Sequence, residues 1–270
     1  VSAADADTPL TAGTELEQYF ATVDGPPEAV FSDGPPAATV RTPSVDRNRI
    51  FALRLHTATA EAEIEELLAP FRKAAIPVSW YADEQATPCT LPELLARHGV
   101  TFQYVWRTME RSLEIVPVPL QYIPDFTIVP AVSEQERNLW GQVILDGFGL
   151  SHFEDLRTYL ASTGLVSGRW HRLTAVMRGT PVGGALLFTG NGKAGLHWLA
   201  VLPEKRRHGV GTNLVRAACA EAVQMEYRSL ALQCNPDLVP LYDRMGFRET
   251  GAISVFEWRP GIVNTTSSAE

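Results

Sequence analysis

The sequence predicts an α/β (α+β) protein with a mixed, mostly antiparallel central sheet flanked by helices. Three observations carry that expectation. Strand-length apolar runs alternate with segments of helical period between residues 49 and 258. The glycine-bearing stretches Arg178-Gly179-Thr180-Pro181 and Gly190-Asn191-Gly192-Lys193 separate runs that read as strands, which makes those strands hairpin partners. A basic glycine turn, residues 206–212, lies between an apolar run at 196–203 and an apolar-periodic segment at 214–223.

Composition sets the frame. A chain of 270 residues holds one large domain or two small ones. With 45% apolar and 20% charged residues it has the balance of an ordinary globular protein. A net charge of −8 argues against a general nucleic-acid binder. An acidic surface suits a cationic substrate, but it also serves solubility alone. Cys89, Cys219 and Cys234 form no metal spacing, and so sparse and odd a count suits a reducing compartment. No apolar run is long enough for a bilayer, and no basic segment followed by an apolar one opens the chain. The expectation is a soluble cytoplasmic protein with no metal, no nucleic-acid partner and no membrane span.

The elements follow in order. Residues 1–47 hold six prolines and more acidic than basic residues, and read as turn or extended chain. A short helix at 15–20, capped by Thr14, interrupts them. This arm is either disordered or laid against the body through Tyr19, Phe20 and Phe31. Residues 48–120 form a first α/β unit: a strand at 49–55, a helix from Thr59 to Lys73, and a strand at 78–81. A helix then opens on Thr90-Leu91-Pro92-Glu93, which has capping-box spacing, and a long strand at 100–115 carries Phe102, Tyr104 and Trp106 on one face. Three prolines mark 116–124 as a linker.

A second unit occupies 125–260, with a loose tail at 261–270. It begins with a strand at 126–132 and two capping-box helices, Ser133–Glu136 opening one to about 146 and Ser151–Glu154 opening another to about 161. Strands at 170–177, 182–189 and 196–202 precede a helix at 209–226. A strand at 229–233, a helix near 239–245 and a strand at 253–258 finish it.

The 206–212 turn carries the chemistry. A helix start leaves unpartnered N–H groups and partial positive charge, which together hold phosphate. Gly209 and Gly211 permit positive φ and close approach of a ligand to the backbone. Lys205, Arg206 and Arg207 add countercharge, although Lys205 and Arg207 also read as solvated surface charges.

Residues 126–258 resemble the GNAT superfamily of acyl-CoA-dependent N-acyltransferases. The resemblance rests on Arg206-x-x-Gly209-x-Gly211 after a strand ending Leu199-Ala200-Val201-Leu202-Pro203. It rests equally on Asn235, with Tyr242 seven residues later and then Gly246-Phe247. Locally, His197-Trp198-Leu199-Ala200-Val201 and Cys234 with Leu238-Val239-Pro240-Leu241-Tyr242 are similar to arylalkylamine N-acetyltransferases, over about 50 residues, too few to carry over their substrate. Residues 78–115 are similar to the degenerate N-terminal halves of tandem GNAT proteins through Trp80, Pro92-Glu93-Leu94, His98-Gly99-Val100 and Met109. That half lacks the glycine turn. It would then shape the acceptor pocket; an unrelated cap or dimerisation domain is the alternative.

The resemblance implies acetyl-CoA as cosubstrate, without a metal. Its pyrophosphate would lie on Arg206, Arg207, His208, Gly209, Val210, Gly211 and Thr212, with Arg206 the better phosphate contact. Its pantetheine would run beside Leu199 and Val201, where the family's strands splay apart, and Asn235 would reach it or merely cap a helix. The Leu199 N–H would stabilise the oxyanion. Tyr242 is the candidate acid or a core tyrosine beside Phe247. His197 is the candidate base, sharing a strand face with Leu199 and Val201 by alternation, or a histidine satisfied in the core. Asp146, Glu154, Asp155 or a water chain would otherwise take the proton. Cys234 has no histidine placed to activate it. Trp140, Phe148 and Phe153 form either a substrate wall or helix core.

The implied activity is transfer of an acetyl group to the amine of a small molecule such as an amino sugar, amino acid or natural product. Transfer to a peptide or protein amine, use of a longer acyl chain, and non-catalytic CoA binding are the alternatives.

Overall fold

The computed structural model describes residues 16, 17, 19, 20, 30–32, 36–42, 48–114, 119–163, 165, 168–190, 192 and 194–261. In chain order the elements begin with β1 (Val30–Ser32), β2 (Ala38–Arg41), β3 (Arg49–Phe51), α1 (Ala60–Ala74), β4 (Val78–Ala82), α2 (Leu91–Arg97) and β5 (Thr101–Ser112). They continue with β6 (Phe126–Pro130), α3 (Glu134–Phe148), α4 (Glu154–Ser162), β7 (Trp170–Met177), β8 (Thr180–Thr189) and β9 (Ala194–Val201). The last are α5 (Val210–Gln224), β10 (Ser229–Cys234), α6 (Val239–Arg244) and β11 (Arg248–Trp258). The expected α/β class with a mostly antiparallel sheet is what forms.

The chain divides into two compact units, one of residues 1–26 and 108–250, the other of 27–107 and 251–270. Two of the three boundaries, 107/108 and 250/251, fall inside strands, β5 and β11. In the second of these units β1, β2 and β3 pair antiparallel in turn, β3 pairs parallel with β4, and β4 pairs antiparallel with β11. Ile64, Leu68 and Phe71 of α1 pack with Trp80 of β4 and Leu95 of α2 in its core. The proline-rich arm therefore supplies two strands, β1 and β2, that its composition hides. Neither strand contains a proline: Val30–Ser32 and Ala38–Arg41 lie between the proline positions of the arm.

The unit that carries the glycine turn has strand order β5-β10-β9-β8-β7-β6. β6 to β9 are antiparallel neighbours, and β10 joins β9 in parallel. Arg178 (φ 51°) and Gly179 (φ 76°) turn the β7–β8 hairpin with the two positive φ values that match strand twist. Asn191 and Lys193 lie outside the described residues, but Thr189 faces Ala194 as the second hairpin requires. The fork over the arm resolves in part: Tyr19 and Phe20 are buried, while Phe31 is largely exposed and stacks on Phe51. Thr14 falls outside the described residues, as do residues 262–270 of the expected tail.

The capping expectations split. At α3, Ser133 and Glu136 form the full reciprocal box. Thr90 makes no side-chain cap to α2. α4 begins at Glu154 after an uncapped Phe153, because Ser151 donates to the Asp146 carboxylate instead (2.7 Å). Spacing fixes which residues meet only if the intervening backbone takes the cap conformation, and here a neighbouring acceptor competes.

Glycines bring α3 onto the sheet. Trp140, fully buried, donates its Nε1 to the Ala185 carbonyl (3.2 Å). A methyl group on Gly184 would sit 2.7 Å from that Nε1 and 2.9 Å from Cδ1. The indole has no room to withdraw, so Gly184→Ala is expected to destabilise the protein by about 1–3 kcal/mol. Denaturant unfolding should show a lower midpoint with an unchanged m-value; an unchanged midpoint would refute this packing.

Candidate active site

β9 is paired along its full length with β8 but only partly with β10. The parallel ladder joins Leu230 to Ala194, Ala231 to Gly195 and Leu232 to Leu196, and stops there. From His197 to Val201 the β10 side of the strand has no ladder partner. Backbone groups in such a stretch need other acceptors and donors, which an extended ligand can provide.

A bulge falls in the same stretch. Leu186 faces His197 and Gly184 faces Ala200, so β9 carries one residue more than β8 between those pairs. Trp198 takes the left-handed φ of 49°. For so bulky a side chain this is an outlier costing on the order of 1–3 kcal/mol. The bulge corrects the alternation argument. Leu199 and Val201 pack with Leu196 against the cluster of Leu214, Cys234, Tyr242 and Phe247. His197 instead stacks on Tyr19 and meets Phe188 edge-on. An extra residue resets the two-residue period, so His197 lies on the opposite face from Leu199 and Val201.

After β9 the chain makes a short 3-10 turn (Pro203–Lys205) and then two left-handed residues, Arg207 (φ 63°) and Gly209 (φ 82°). α5 starts at Val210, and its first helical bond runs from Asn213 N–H to the Gly209 carbonyl (3.0 Å). The N–H groups of Val210, Gly211 and Thr212 thus precede the helical ladder and have no intrahelical acceptor. Gly209 needs its positive φ. Gly211 does not: it is helical, and a methyl group there would make ordinary contact with Val201 Cγ2 at 3.6 Å.

The Arg206 guanidinium turns inward. It donates from Nε to the Val201 carbonyl (3.1 Å) and from Nη2 to the Gly147 carbonyl (2.6 Å), tying the end of β9 to the end of α3. These two bonds shape the turn, and the residue as a whole is exposed. His208 Nδ1 donates to the Arg206 carbonyl (2.7 Å), and Arg207 and His208 are both exposed.

Two residues missed by sequence reasoning complete the turn. Asn213, fully buried, accepts from Gln121 N–H (2.8 Å) and donates to the Gln121 carbonyl (2.9 Å). Arg216 holds the Pro119 carbonyl (3.0 Å). The segment read as a linker is in its described part, 119–124, laid over the start of α5, with Gln121 Oε1 against Gly209. A polar residue one turn into an apolar helix face was the only available signal.

Tyr242 is buried in α6, with Phe247 edge-on at 5.7 Å. Burial first, and the neighbouring Cys234 second, push its phenol well above the ordinary range, so it stays protonated. Burial, then Asp237 and Glu249, raise the Cys234 thiol to about 11, which leaves no thiolate for nucleophilic work near neutrality. Asn235 begins the 3-10 turn Pro236–Leu238, but its exposed side chain makes no capping bond. Of the alternative bases, Asp146 is bonded by Ser151 and Gln142, and Glu154 is paired with Arg157. Trp140 belongs to the helix core, whereas Phe148 is half exposed and meets Trp198 edge-on at 6.0 Å. Among the described residues, no group of three or more His, Cys, Asp or Glu is placed to hold a metal, and no helix is long and apolar enough to cross a membrane.

Comparisons with known proteins agree with this geometry. Residues 145–247, which include β9, the glycine turn and Tyr242, match the model of the Acetyltransferase (GNAT) family. A search of curated proteins gives no match. Among solved structures, the chain is similar to a GCN5-related N-acetyltransferase from Kribbella flavida, with a TM-score of 0.72 at 17% identity over 93% of this chain and 95% of that one. A GCN5-related N-acetyltransferase from Sphaerobacter thermophilus gives 0.63 at 19% identity over 85% and 82%. A tandem GNAT protein from the clavulanic acid biosynthesis pathway gives 0.63 at 15% identity over 89% and 86%. At such identities these structures establish a shared fold.

Two measurements test the site's packing. Asn213→Ala would leave both Gln121 backbone groups without their partner and should cost about 1–3 kcal/mol in denaturant unfolding, with faster hydrogen exchange at 119–123. Unchanged exchange there would mean the clasp holds nothing. In mildly alkaline buffer a thiol reagent should label exposed Cys89 in the folded protein, and Cys219 and Cys234 only after unfolding. Prompt labelling of Cys234 would contradict its burial.

Proposed function

Because residues 145–247 form an acetyltransferase domain of the GNAT family, we propose that the chain transfers an acetyl group from acetyl-CoA directly to the amine of a small molecule, within a ternary complex. The observation that carries the proposal is the parting of β9 from β10 after Leu196, immediately before a left-handed turn that opens a fifteen-residue helix. Backbone groups left over in a strand and N–H groups left over at a helix start suit the two ends of CoA, an amide-bearing arm and a pyrophosphate.

In this reading the arm lies along Leu199 and Val201. The pyrophosphate meets the main-chain N–H groups of residues 207–212, and exposed Arg207 adds charge beside it. Asn235, exposed and making no cap, is available to the arm. The amine nitrogen attacks the thioester carbonyl, and the Leu199 N–H receives the developing oxyanion. The new C–N bond forms as the C–S bond breaks, and the leaving thiolate takes the Tyr242 phenolic proton. His197, directly or through water, takes the proton the amine must lose. The bulge supports this division of labour. It puts His197 and Tyr242 on opposite sides of β9, so amine and thiol need not share one approach.

Calorimetry with acetyl-CoA should show one binding site, and mass spectrometry of an amine library incubated with acetyl-CoA should reveal acetylated product. Tyr242→Phe should then lower kcat by about 10²-fold or more while acetyl-CoA affinity stays unchanged. An unchanged kcat removes Tyr242 as the acid; absence of acetyl-CoA binding removes the whole proposal.

A further inference from the structure

Tyr19, in the N-terminal arm, reaches the 197–201 stretch. Tyr19 is 5% exposed, and its ring stacks on His197 with centroids 3.8 Å apart and planes 11° from parallel. Its hydroxyl accepts a hydrogen bond from Trp198 Nε1 at 2.6 Å. Trp170 and Phe188, at 5.5 and 5.6 Å, enclose the same ring. One residue from the start of the chain therefore grips two consecutive residues of β9, and those two directly precede Leu199.

Trp198 is the residue that needs gripping. A bulky side chain at φ 49° persists only where its surroundings over-determine the conformation. Phe148 supplies one edge contact, and the Tyr19 hydroxyl supplies a directional bond. If Trp198 relaxed to an ordinary extended conformation, the extra residue would be lost and every later residue of β9 would change face. Leu199 and Val201 would leave the cluster that contains Tyr242.

We propose that Tyr19 is a positioning residue of the active centre: its hydroxyl and ring hold the Trp198 bulge and so direct the Leu199 N–H at the acyl carbonyl. The inference rests on the acyl-transfer reading above. Tyr19 touches no reacting atom. Its effect passes through Trp198, which explains why an arm of such unremarkable sequence buries a tyrosine against the catalytic strand.

Infrared spectroscopy of acetyl-CoA carrying carbon-13 at the thioester carbonyl tests this without a known acceptor. A hydrogen bond to that carbonyl lowers its stretching frequency. Wild-type protein should show the shift on binding. Tyr19→Phe, which keeps the ring stack and removes only the bond acceptor, should lose most of it at unchanged acetyl-CoA affinity. Trp198→Phe removes the same bond from the donor side and should lose as much, and it gives the answer if Tyr19→Phe fails to fold. The double variant should lose no more than either single one. A full shift retained in the single variants, or losses that add, overturns the clamp and leaves the acyl-transfer reading standing. A wild-type protein that binds acetyl-CoA without any shift sinks the oxyanion role of Leu199, and the clamp with it.

Discussion

β9 has a partner along all of one edge and along less than half of the other, and the site depends on that asymmetry. Parallel pairing with β10 ends at Leu196. Pairing with β8 continues to Val201, but only through a register shift that makes room for Trp198. A sheet interior normally satisfies every main-chain group within itself. Here the strand in the middle of the sheet leaves a run of them to a ligand, and strained backbone is placed in the same run. The cost is carried by the packing around it: Gly183 and Gly184 admit the close approach of Ala200 and Trp140, and Gly147 admits Ala200 from α3. A side chain at Gly147 or Gly183 would push against the strand that must stay bent, and one at Gly184 against the Trp140 indole of α3.

In the proposed reading, the phosphate end is built mainly from main chain. The one arginine that motif spacing singles out, Arg206, holds the carbonyls of Val201 and Gly147. This is a sensible use of the residue. A guanidinium has several donors fixed in a plane, so one side chain can tie two carbonyls and fix the turn that the helix start requires. Asn213 does the corresponding work on the other side, closing residues 119–124 over Gly209 with both ends of its amide. The N–H groups of the turn are thereby pre-organised, and exposed Arg207 supplies charge.

Local features were legible in the sequence. The Arg178–Gly179 hairpin, the Ser133–Glu136 box and the Arg206–Thr212 turn each depend on a few adjacent residues whose conformational preferences agree. What stayed hidden is non-local. β1 and β2 carry strand-favouring Val, Phe and Thr, but runs of three and four residues between prolines are too short to read as strands without the edge that β3 offers. The Thr90 and Ser151 patterns have capping spacing without the backbone or the free acceptor that capping needs. The bulge is the costliest omission. Counting alternate residues from Val201 puts His197 on the wrong face, and nothing in His197-Trp198-Leu199-Ala200-Val201 announces the extra residue.

That error also shows why the bulge matters for the chemistry. With strict alternation, His197 would share a face with Leu199 and Val201, and the proposed base would crowd the proposed acid, Tyr242, in one packed cluster. His197 is buried all the same; what the extra residue changes is which side chains surround it. With the extra residue it lies instead beside Tyr19, Phe188 and Trp198, across the strand from the phenol. Proton uptake from an amine and proton delivery to a thiolate are opposite tasks, best kept in separate environments. One left-handed tryptophan is enough to separate them.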